Sequence, residues 1–206
     1  SRFAMKKFKA LVLDWDGVFH DGRKAVDGSS TFSEIDSMGL NLLRFAHHQQ
    51  QGMPLPVAIV TGERNPSAEA FAQREHLDAF CFNAKDKRLA IPFLETLWGI
   101  PANNWAFVFD DILDLGLAKE VAFRAMVQRT ATQETVQFAQ RKGLVDMVLQ
   151  GDHAVREFAE RNLVDRGQFD AALAERIAVS TSYQSYWKDR QALPTLLQDL
   201  SSKDLH

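Results

Sequence analysis

The sequence lacks several features that mark specialised classes of protein. Cys81 is the only cysteine among 206 residues, which excludes an intrachain disulfide. No apolar run approaches the length of a membrane span, and a net charge of -3 leaves no basic excess for binding nucleic acid. No N-terminal signal peptide is visible, since Lys6 to Lys9 lead straight into a strand pattern. We therefore expect a cytoplasmic protein that binds neither nucleic acid nor membranes.

What the chain does contain is a regular alternation of short apolar runs and helical patterns. The runs are apolar on both faces, as in parallel strands that helices cover on each side. This pattern predicts an α/β fold, a doubly wound Rossmann-like sheet that is mostly parallel. The predicted strands are 9–13, 57–60, 79–82, 106–109 and 123–127, with an edge strand at 145–149. The predicted helices are 39–48, 66–75, 87–98, 115–121, 132–141 and 154–162.

Two segments fall outside the alternation. Residues 22–36 are polar and contain Asp27-Gly28, which predicts a small β-hairpin flap after the first strand. Residues 163–206 predict two or three amphipathic helices, for example 169–179 and 193–200. We expect a core of residues 1–162, with the helical extension packing on that core or on a neighbouring subunit.

Polar residues follow the predicted strands at their carboxyl ends, which meet along one edge of a parallel sheet. Acids two residues apart repel each other unless a cation lies between them, and oxygen ligands favour Mg²⁺. Carboxylates, a hydroxyl and an ammonium group together match the needs of a phosphoryl group and its metal. In chain order the residues are Asp14 and Asp16, Thr61 and Gly62, Lys87, Asp110 and Asp111, and Asp114.

With these residues in place, the sequence resembles the haloacid dehalogenase superfamily of phosphohydrolases. Its four motifs appear in order as DWDG, TG, Lys87 and DDILD, over about residues 8–162. The resemblance implies that Asp14 is the nucleophile and forms an aspartyl-phosphate. It implies that Asp16 is the general acid and base, and that its backbone carbonyl binds Mg²⁺. Asp110 would complete the metal site with Asp14, and Asp111 would act directly or through water.

The same resemblance assigns the phosphoryl contacts. Thr61 and Lys87 would hold the transferring phosphoryl group, and Gly62 would lie against the substrate. Lys85 is an alternative to Lys87, but the spacing to the fourth motif favours Lys87. For Asp114 we expect a helix-capping or supporting role rather than a metal contact.

Within the superfamily, the chain resembles the capless subgroup typified by 3-deoxy-D-manno-octulosonate 8-phosphate phosphatases. The matching features are DGVFHDG, the short flap, FSEIDSMGLNLL and the late AVRE at 154–157. This resemblance implies a sugar-phosphate substrate and a homo-oligomer, with a tetramer favoured. A neighbour's segment would then close the active site, and the flap would take part in assembly; a surface hairpin without a partner is the alternative.

Several positions depart from the subgroup pattern. Phe109 stands where a glycine usually precedes the acid pair, and Ile35 and Met38 replace an arginine and a tyrosine. Asp152 replaces a basic residue before AVRE. Since the lost groups are ones that read an anionic sugar acid, these changes weaken the assignment of that substrate.

Two further residues are candidate substrate contacts. Arg64 follows Thr61-Gly62 closely, and His20 lies in the loop after the first motif. A solvated arginine at a helix start is the alternative for Arg64.

The sequence therefore predicts a Mg²⁺-dependent phosphomonoesterase that acts on a small-molecule phosphate ester. The alternative from another class is a catalytically weak or silent relative that serves as an oligomerisation module, which Phe109 and the long tail would suit. A phosphoacceptor receiver is disfavoured, because Lys87 precedes Asp110 and Asp111 here. A phosphotransferase mutase would need a cap-sized insertion, and no such insertion follows the first or the second motif.

Overall fold

The computed structural model describes residues 7–201, which form a seven-stranded, all-parallel sheet with helices on both faces. This confirms the predicted α/β class. The strands are β1 Ala10–Leu13, β2 Val57–Val60, β3 Ala79–Phe82, β4 Trp105–Phe109, β5 Phe123–Val127, β6 Met147–Leu149 and β7 Leu196–Asp199. The α-helices are α1 Glu34–Gln51, α2 Pro66–Arg74, α3 Ala90–Trp98, α4 Leu115–Ala118, α5 Gln133–Arg141, α6 Ala154–Asp165, α7 Phe169–Ile177 and α8 Thr181–Gln191.

The strand order β6-β5-β4-β1-β2-β3-β7 places β1 at the centre of the sheet. The chain builds β2 and β3 on one side of β1 and then crosses over to β4 on the other side. Open α/β sheets bind ligands in the crevice where such a reversal occurs. Here the crevice lies between the carboxyl ends of β1 and β4, where the Asp14 amide donates to the Val108 carbonyl at 2.9 Å.

Side chains of successive strand residues enter two separate apolar layers. In β1, Leu11 and Leu13 join the layer that includes residues of α1 and α6, while Ala10 and Val12 join the opposite one. Phe109 belongs to this second layer, is fully buried and stacks on Phe107 at 5.0 Å between ring centroids. Its bulk is therefore accommodated in the core.

Local sequence explains where the helices around the site begin. Asn65 caps α2 by accepting hydrogen bonds from the amides of Ser67 and Ala68, and Pro66 supplies the preset first turn. On α1, Gly39 permits close packing on α6, since a Cβ there would lie 2.9 Å from the Cα of Arg156.

The predicted β-hairpin flap is wrong. The described chain has no strand between β1 and α1, and α1 begins at Glu34, inside the predicted flap. Asp27-Gly28 does form a turn, closed by the Ala25 amide on the Ser29 carbonyl at 2.8 Å. The Asp27 carboxylate accepts from the Ser29 amide and hydroxyl, so polar side chains satisfy the backbone that strand pairing would otherwise have used.

The predicted helix at 193–200 is also wrong. Leu196–Asp199 is instead β7, which pairs in parallel with β3 and places Leu197 opposite Phe80. Pro194 disfavours a helical conformation for the residue before it, and β3 would otherwise be left as an open edge.

The described part of the predicted extension packs on the core of its own chain. Helix α8 is anchored by the Tyr186 hydroxyl, 2.6 Å from the Asn41 side chain, and by a buried ion pair between Arg190 and Glu75. Within residues 7–201, no helix combines the length and apolarity that crossing a membrane requires.

Candidate active site

Asp14 lies directly after β1 at the switch point of the sheet and is 5% exposed. Its Oδ1 accepts hydrogen bonds from the Trp15 amide at 2.7 Å and from Lys87 Nζ at 2.6 Å. The Trp15 ring is fully buried and stacks on Phe19 at 4.5 Å. The carboxylate therefore sits on a rigid turn with one of its oxygens already held.

Lys87 opens a short 3₁₀ turn whose start is capped by Asp86. Its side chain is 2% exposed, and its ammonium group contacts both Asp14 and Asp114. Burial opposes the charged form, but the two carboxylates outweigh it and raise the pKa of Lys87. Lys85, the alternative lysine, is exposed, so the structure places Lys87 and not Lys85 among the acids.

Three carboxylates converge beside this lysine. Oxygens of Asp14, Asp110 and Asp114 lie within 4.8 Å of one another. Burial and the repulsion of Asp114 raise the pKa of Asp14, and the same two causes raise the pKa of Asp110 to about 6. Lys87 offsets only part of this repulsion. A divalent cation between these oxygens would relieve the rest, so the residues fit a metal site.

Gly17 allows this cluster to form. Its φ is +80°, and a Cβ at this position would lie 1.8 Å from Oδ2 of Asp110. The glycine of the DWDG motif therefore leaves room for an acid of the neighbouring strand.

Asp114 has the predicted supporting role: its side chain does not cap α4 but belongs to the capping box of the 3₁₀ turn at 112–114. Its Oδ2 accepts from the amides of Asp110 at 3.3 Å and Asp111 at 3.1 Å, while its other oxygen contacts Lys87. Asp114 thus fixes the loop that carries Asp110. Its contact with Lys87 and its place in the acidic cluster were not expected from the sequence.

Asp111, predicted as a metal ligand, lies outside that cluster. It is exposed, and its Oδ1 accepts from the Ile112 amide at 2.8 Å. Its carboxylate caps the short 3₁₀ helix at 112–114, and any contact with a metal at the cluster would have to pass through water.

Asp16 has a different environment from Asp14. Its carboxylate accepts from His20 Nε2 at 2.9 Å and lies 2.8 Å from Lys24 Nζ. Partial burial would raise its pKa, but these two contacts outweigh burial and lower it. His20, predicted as a substrate contact, therefore has its ring occupied by Asp16.

Thr61 directly follows β2 and is 1% exposed. Its Oγ1 is buried and has no hydrogen-bond partner within residues 7–201. A buried hydroxyl without a partner is costly, and a bound phosphoryl oxygen would satisfy it. Next to it, Gly62 is half-buried, and a Cβ at this position would lie 3.4 Å from Cδ2 of Leu113.

Arg64 is half-exposed and turned onto α2. It makes two hydrogen bonds of 3.0 Å to Glu69, and its guanidinium lies over the Phe82 ring at 4.6 Å. Within the described chain, Arg64 makes no contact with the acidic cluster. The sequence predicted Arg64 as a substrate contact, but the structure does not place it at the site.

Arg129 is a site residue that the sequence reading missed. It follows β5, with Nη1 3.8 Å from Oδ2 of Asp110 and Nη2 donating to the His20 carbonyl at 3.3 Å. It borders a cavity of about 230 Å³ that the loop after β1 shares with residues 151–153. Its position just past a strand end is the same signal that identified Asp14 and Thr61.

Comparisons with solved structures agree with this fold. No protein-family model matches the sequence. A HAD superfamily (subfamily III A) hydrolase structure from Legionella pneumophila matches with a TM-score of 0.68 and 27% identity, covering 84% of this chain and 91% of that one. A yrbi family phosphatase structure from Pseudomonas syringae matches with a TM-score of 0.68 and 25% identity, covering 84% and 94%.

A third match is the 3-deoxy-D-manno-octulosonate 8-phosphate phosphatase from Moraxella catarrhalis. Its TM-score is 0.64 at 27% identity, with 81% of this chain and 92% of that chain covered. That structure is a complex with a magnesium ion, a phosphate ion and a KDO molecule.

The chain is similar in fold to hydrolases and phosphatases of the haloacid dehalogenase superfamily at 25–27% identity, and these neighbours support a phosphatase. Within the superfamily, the matched structures include 3-deoxy-D-manno-octulosonate 8-phosphate phosphatases, which agrees with the resemblance carried by DGVFHDG and AVRE.

Proposed function

We propose that this protein is a Mg²⁺-dependent phosphomonoesterase that acts through an aspartyl-phosphate on Asp14. The observation that carries the proposal is the environment of Asp14. Its buried carboxylate lies against the Lys87 ammonium and beside Asp110, at the switch point of the sheet. A nucleophile, a cation for the phosphoryl group and oxygens for a metal are thereby brought together.

In the first half of the reaction, an Asp14 oxygen bonds to phosphorus as the bond to the leaving-group oxygen breaks. Because its contacts with His20 and Lys24 lower the pKa of Asp16, this carboxylate must first take up a proton from solvent, which it then gives to that oxygen. In the second half, Asp16 takes a proton from water, whose oxygen bonds to phosphorus as the Asp14–phosphorus bond breaks. Inorganic phosphate leaves, and Asp14 returns to its carboxylate form.

The remaining residues hold the phosphoryl group. Lys87 contributes its charge, the Thr61 hydroxyl donates a hydrogen bond, and the Gly62 backbone lies close to the substrate. Mg²⁺ would be held by the carboxylates of Asp14 and Asp110 and by the Asp16 carbonyl. When bound, it would neutralise charge on the phosphoryl oxygens.

Asp111 would act on the metal through water, because its carboxylate already caps the following turn. Asp114 would act on the loop and on Lys87.

For the substrate we propose a small phosphorylated metabolite, a sugar phosphate of the ulosonate class. The Moraxella neighbour, with its phosphate ion and KDO molecule, supports this class. Ile35 and Met38 are apolar side chains on α1 that are about half-exposed. They therefore do not replace the arginine and the tyrosine of the subgroup pattern. Arg129 and Lys24 instead provide positive charge beside Asp110 and Asp16.

We further propose a cytoplasmic homo-oligomer, with a tetramer favoured. In this proposal a neighbouring copy would cover the loop 22–33, whose tip residue Val26 is fully exposed in the single chain. The alternative of a silent oligomerisation module loses the support of Phe109, because its side chain is fully buried in an apolar layer of the core.

A phosphate-release assay over a panel of sugar phosphates, with Mg²⁺ or with EDTA, tests the proposal. We expect turnover with Mg²⁺, little turnover with EDTA, and none for Asp14→Asn. Asp170→Asn is a matched control, because it removes an exposed acid of α7 that lies outside both the acidic cluster and the loop 22–33. Turnover by Asp14→Asn at the wild-type rate would contradict the mechanism.

A further inference from the structure

His20 is buried beside Asp16, in the loop that follows β1. Resting on the proposed function, we infer that His20 is a positioning residue that aims the Asp16 carboxylate at the leaving-group oxygen. The sequence indicates only that a histidine lies in the loop after the DWDG motif. Its bonding partners, its burial and its immediate neighbours carry the inference.

The hydrogen bonds of His20 fix which ring nitrogen carries the proton. The Gly22 amide donates to Nδ1 at 3.1 Å, so Nδ1 is an acceptor. In the neutral ring Nε2 therefore carries the proton and donates to Oδ1 of Asp16 at 2.9 Å. The imidazole is thus a directional donor to one particular carboxylate oxygen.

The ring itself is held in place. The His20 side chain is 3% exposed, and the centroid of its ring lies 6.1 Å from the centroid of the Trp15 ring. The Arg129 guanidinium donates to the His20 carbonyl at 3.3 Å, which ties the loop to the end of β5. The buried surroundings of the His20 ring therefore fix its orientation, and with it the position of Oδ1 of Asp16.

The second partner of Asp16 cannot set this direction alone. Lys24 is partly exposed and has a long, flexible side chain. Its ammonium group contacts both Asp16, at 2.8 Å, and Glu63, at 3.1 Å. We expect Lys24 to give way when substrate arrives, while His20 keeps Oδ1. The other oxygen, Oδ2, then faces the leaving group and delivers the proton.

This arrangement predicts a particular dependence on the leaving group. An alkoxide leaving group needs the proton from Asp16, whereas p-nitrophenolate departs readily without it. The parameter kcat/KM reports the steps up to leaving-group departure and excludes later hydrolysis of the aspartyl-phosphate. A misdirected Asp16 should therefore lower kcat/KM for alkyl phosphates far more than for p-nitrophenyl phosphate.

The test compares His20→Leu, which fills the site without a donor, with His20→Gln, whose amide nitrogen can replace Nε2. For His20→Leu we expect kcat/KM on an alkyl phosphate to fall about 10- to 100-fold, and on p-nitrophenyl phosphate by less than about threefold. His20→Gln should recover most of the loss. Equal losses on both substrates, or no loss, would overturn the inference.

His48→Leu is the matched control, because His48 makes a comparable hydrogen bond of 2.8 Å to Asp189, which is not one of the site residues. It should leave the leaving-group dependence unchanged. If it steepens that dependence as much as His20→Leu does, the inference fails.

Crystal structures of the wild type and both His20 variants decide the point without turnover. We expect the Asp16 carboxylate to keep its direction in His20→Gln and to lose it in His20→Leu. An unmoved Asp16 in His20→Leu would overturn the inference. Absence of turnover by the wild-type protein on every phosphate ester would count against the proposed function, and the crystal structures would still test the positioning.

Discussion

Replacing Gly17 by alanine should remove the metal site while leaving the fold intact. Gly17 has a φ of +80°, and the new Cβ would lie 1.8 Å from Oδ2 of Asp110. No heavy atom can remain at that distance, so the Asp110 carboxylate must turn away from Asp14. The backbone strain of a positive φ adds about 1–2 kcal/mol to the cost.

Gly28 provides a control with the same backbone strain. Its φ is +84°, but a Cβ there would have no heavy atom within 4 Å. Gly28→Ala should therefore lose about 1–2 kcal/mol of unfolding free energy and keep its affinity for Mg²⁺. The difference between the two variants isolates the collision with Asp110.

The loss of one carboxylate ligand sets the expected size of the effect. We expect Mg²⁺ affinity in Gly17→Ala to fall at least about 100-fold, equivalent to about 2.7 kcal/mol. Calorimetric titration with Mg²⁺ measures the affinity, and urea unfolding measures the stability. Wild-type Mg²⁺ affinity in Gly17→Ala would refute the assignment of Asp110 to the metal.

Further predictions concern the buried charges. Lys87→Met should leave Asp14 and Asp114 unpaired, costing about 3–5 kcal/mol in urea unfolding and abolishing phosphate release. The pKa of Asp110, raised to about 6, means that the metal-free folded state binds more protons than the unfolded chain. This group therefore lowers metal-free stability as pH rises from about 4 to 6, so the gain in Tm from Mg²⁺ should be larger at pH 7.5 than at pH 5; an equal gain would contradict the assignment. Arg190→Met should break the buried pair with Glu75, lowering unfolding free energy by about 3–5 kcal/mol while the folded fraction keeps its kcat.

Hydrophobic pattern was sufficient to predict the central sheet. The strands that contain Leu13, Val60 and Phe109 are buried on both faces, and their apolar runs end directly before Asp14, Thr61 and Asp110. The predicted ends of these strands match the structure, because burial on both sides leaves a strong and continuous signal.

The chain beyond α7 was harder to predict. Leu196–Asp199 is largely exposed, so its side chains carry little of the burial pattern that reveals a strand. Pairing with β3 decides its conformation, and that contact links residues more than a hundred positions apart. Helix α8 also has no clear apolar stripe, since it buries Tyr183, Tyr186 and Arg190 together.

At the site, the residue types could be predicted but their directions could not. Asp14, Thr61 and Lys87 lie where strand ends and helix starts place them. Asp111 and Arg64 turn away because local partners, the Ile112 amide and Glu69, satisfy them first. Such competition between hydrogen bonds depends on side-chain geometry, which sequence spacing does not encode.

The most direct test of the account is to identify the residue that carries the phosphoryl group. The enzyme would be mixed with an excess of a phosphate ester and Mg²⁺, quenched in acid, reduced with borohydride and analysed by peptide mass spectrometry. Reduction of an aspartyl-phosphate converts that aspartate to homoserine. We predict homoserine at position 14, dependent on substrate and absent from Asp14→Asn. Homoserine at another position, or none during active turnover, would contradict the central claim.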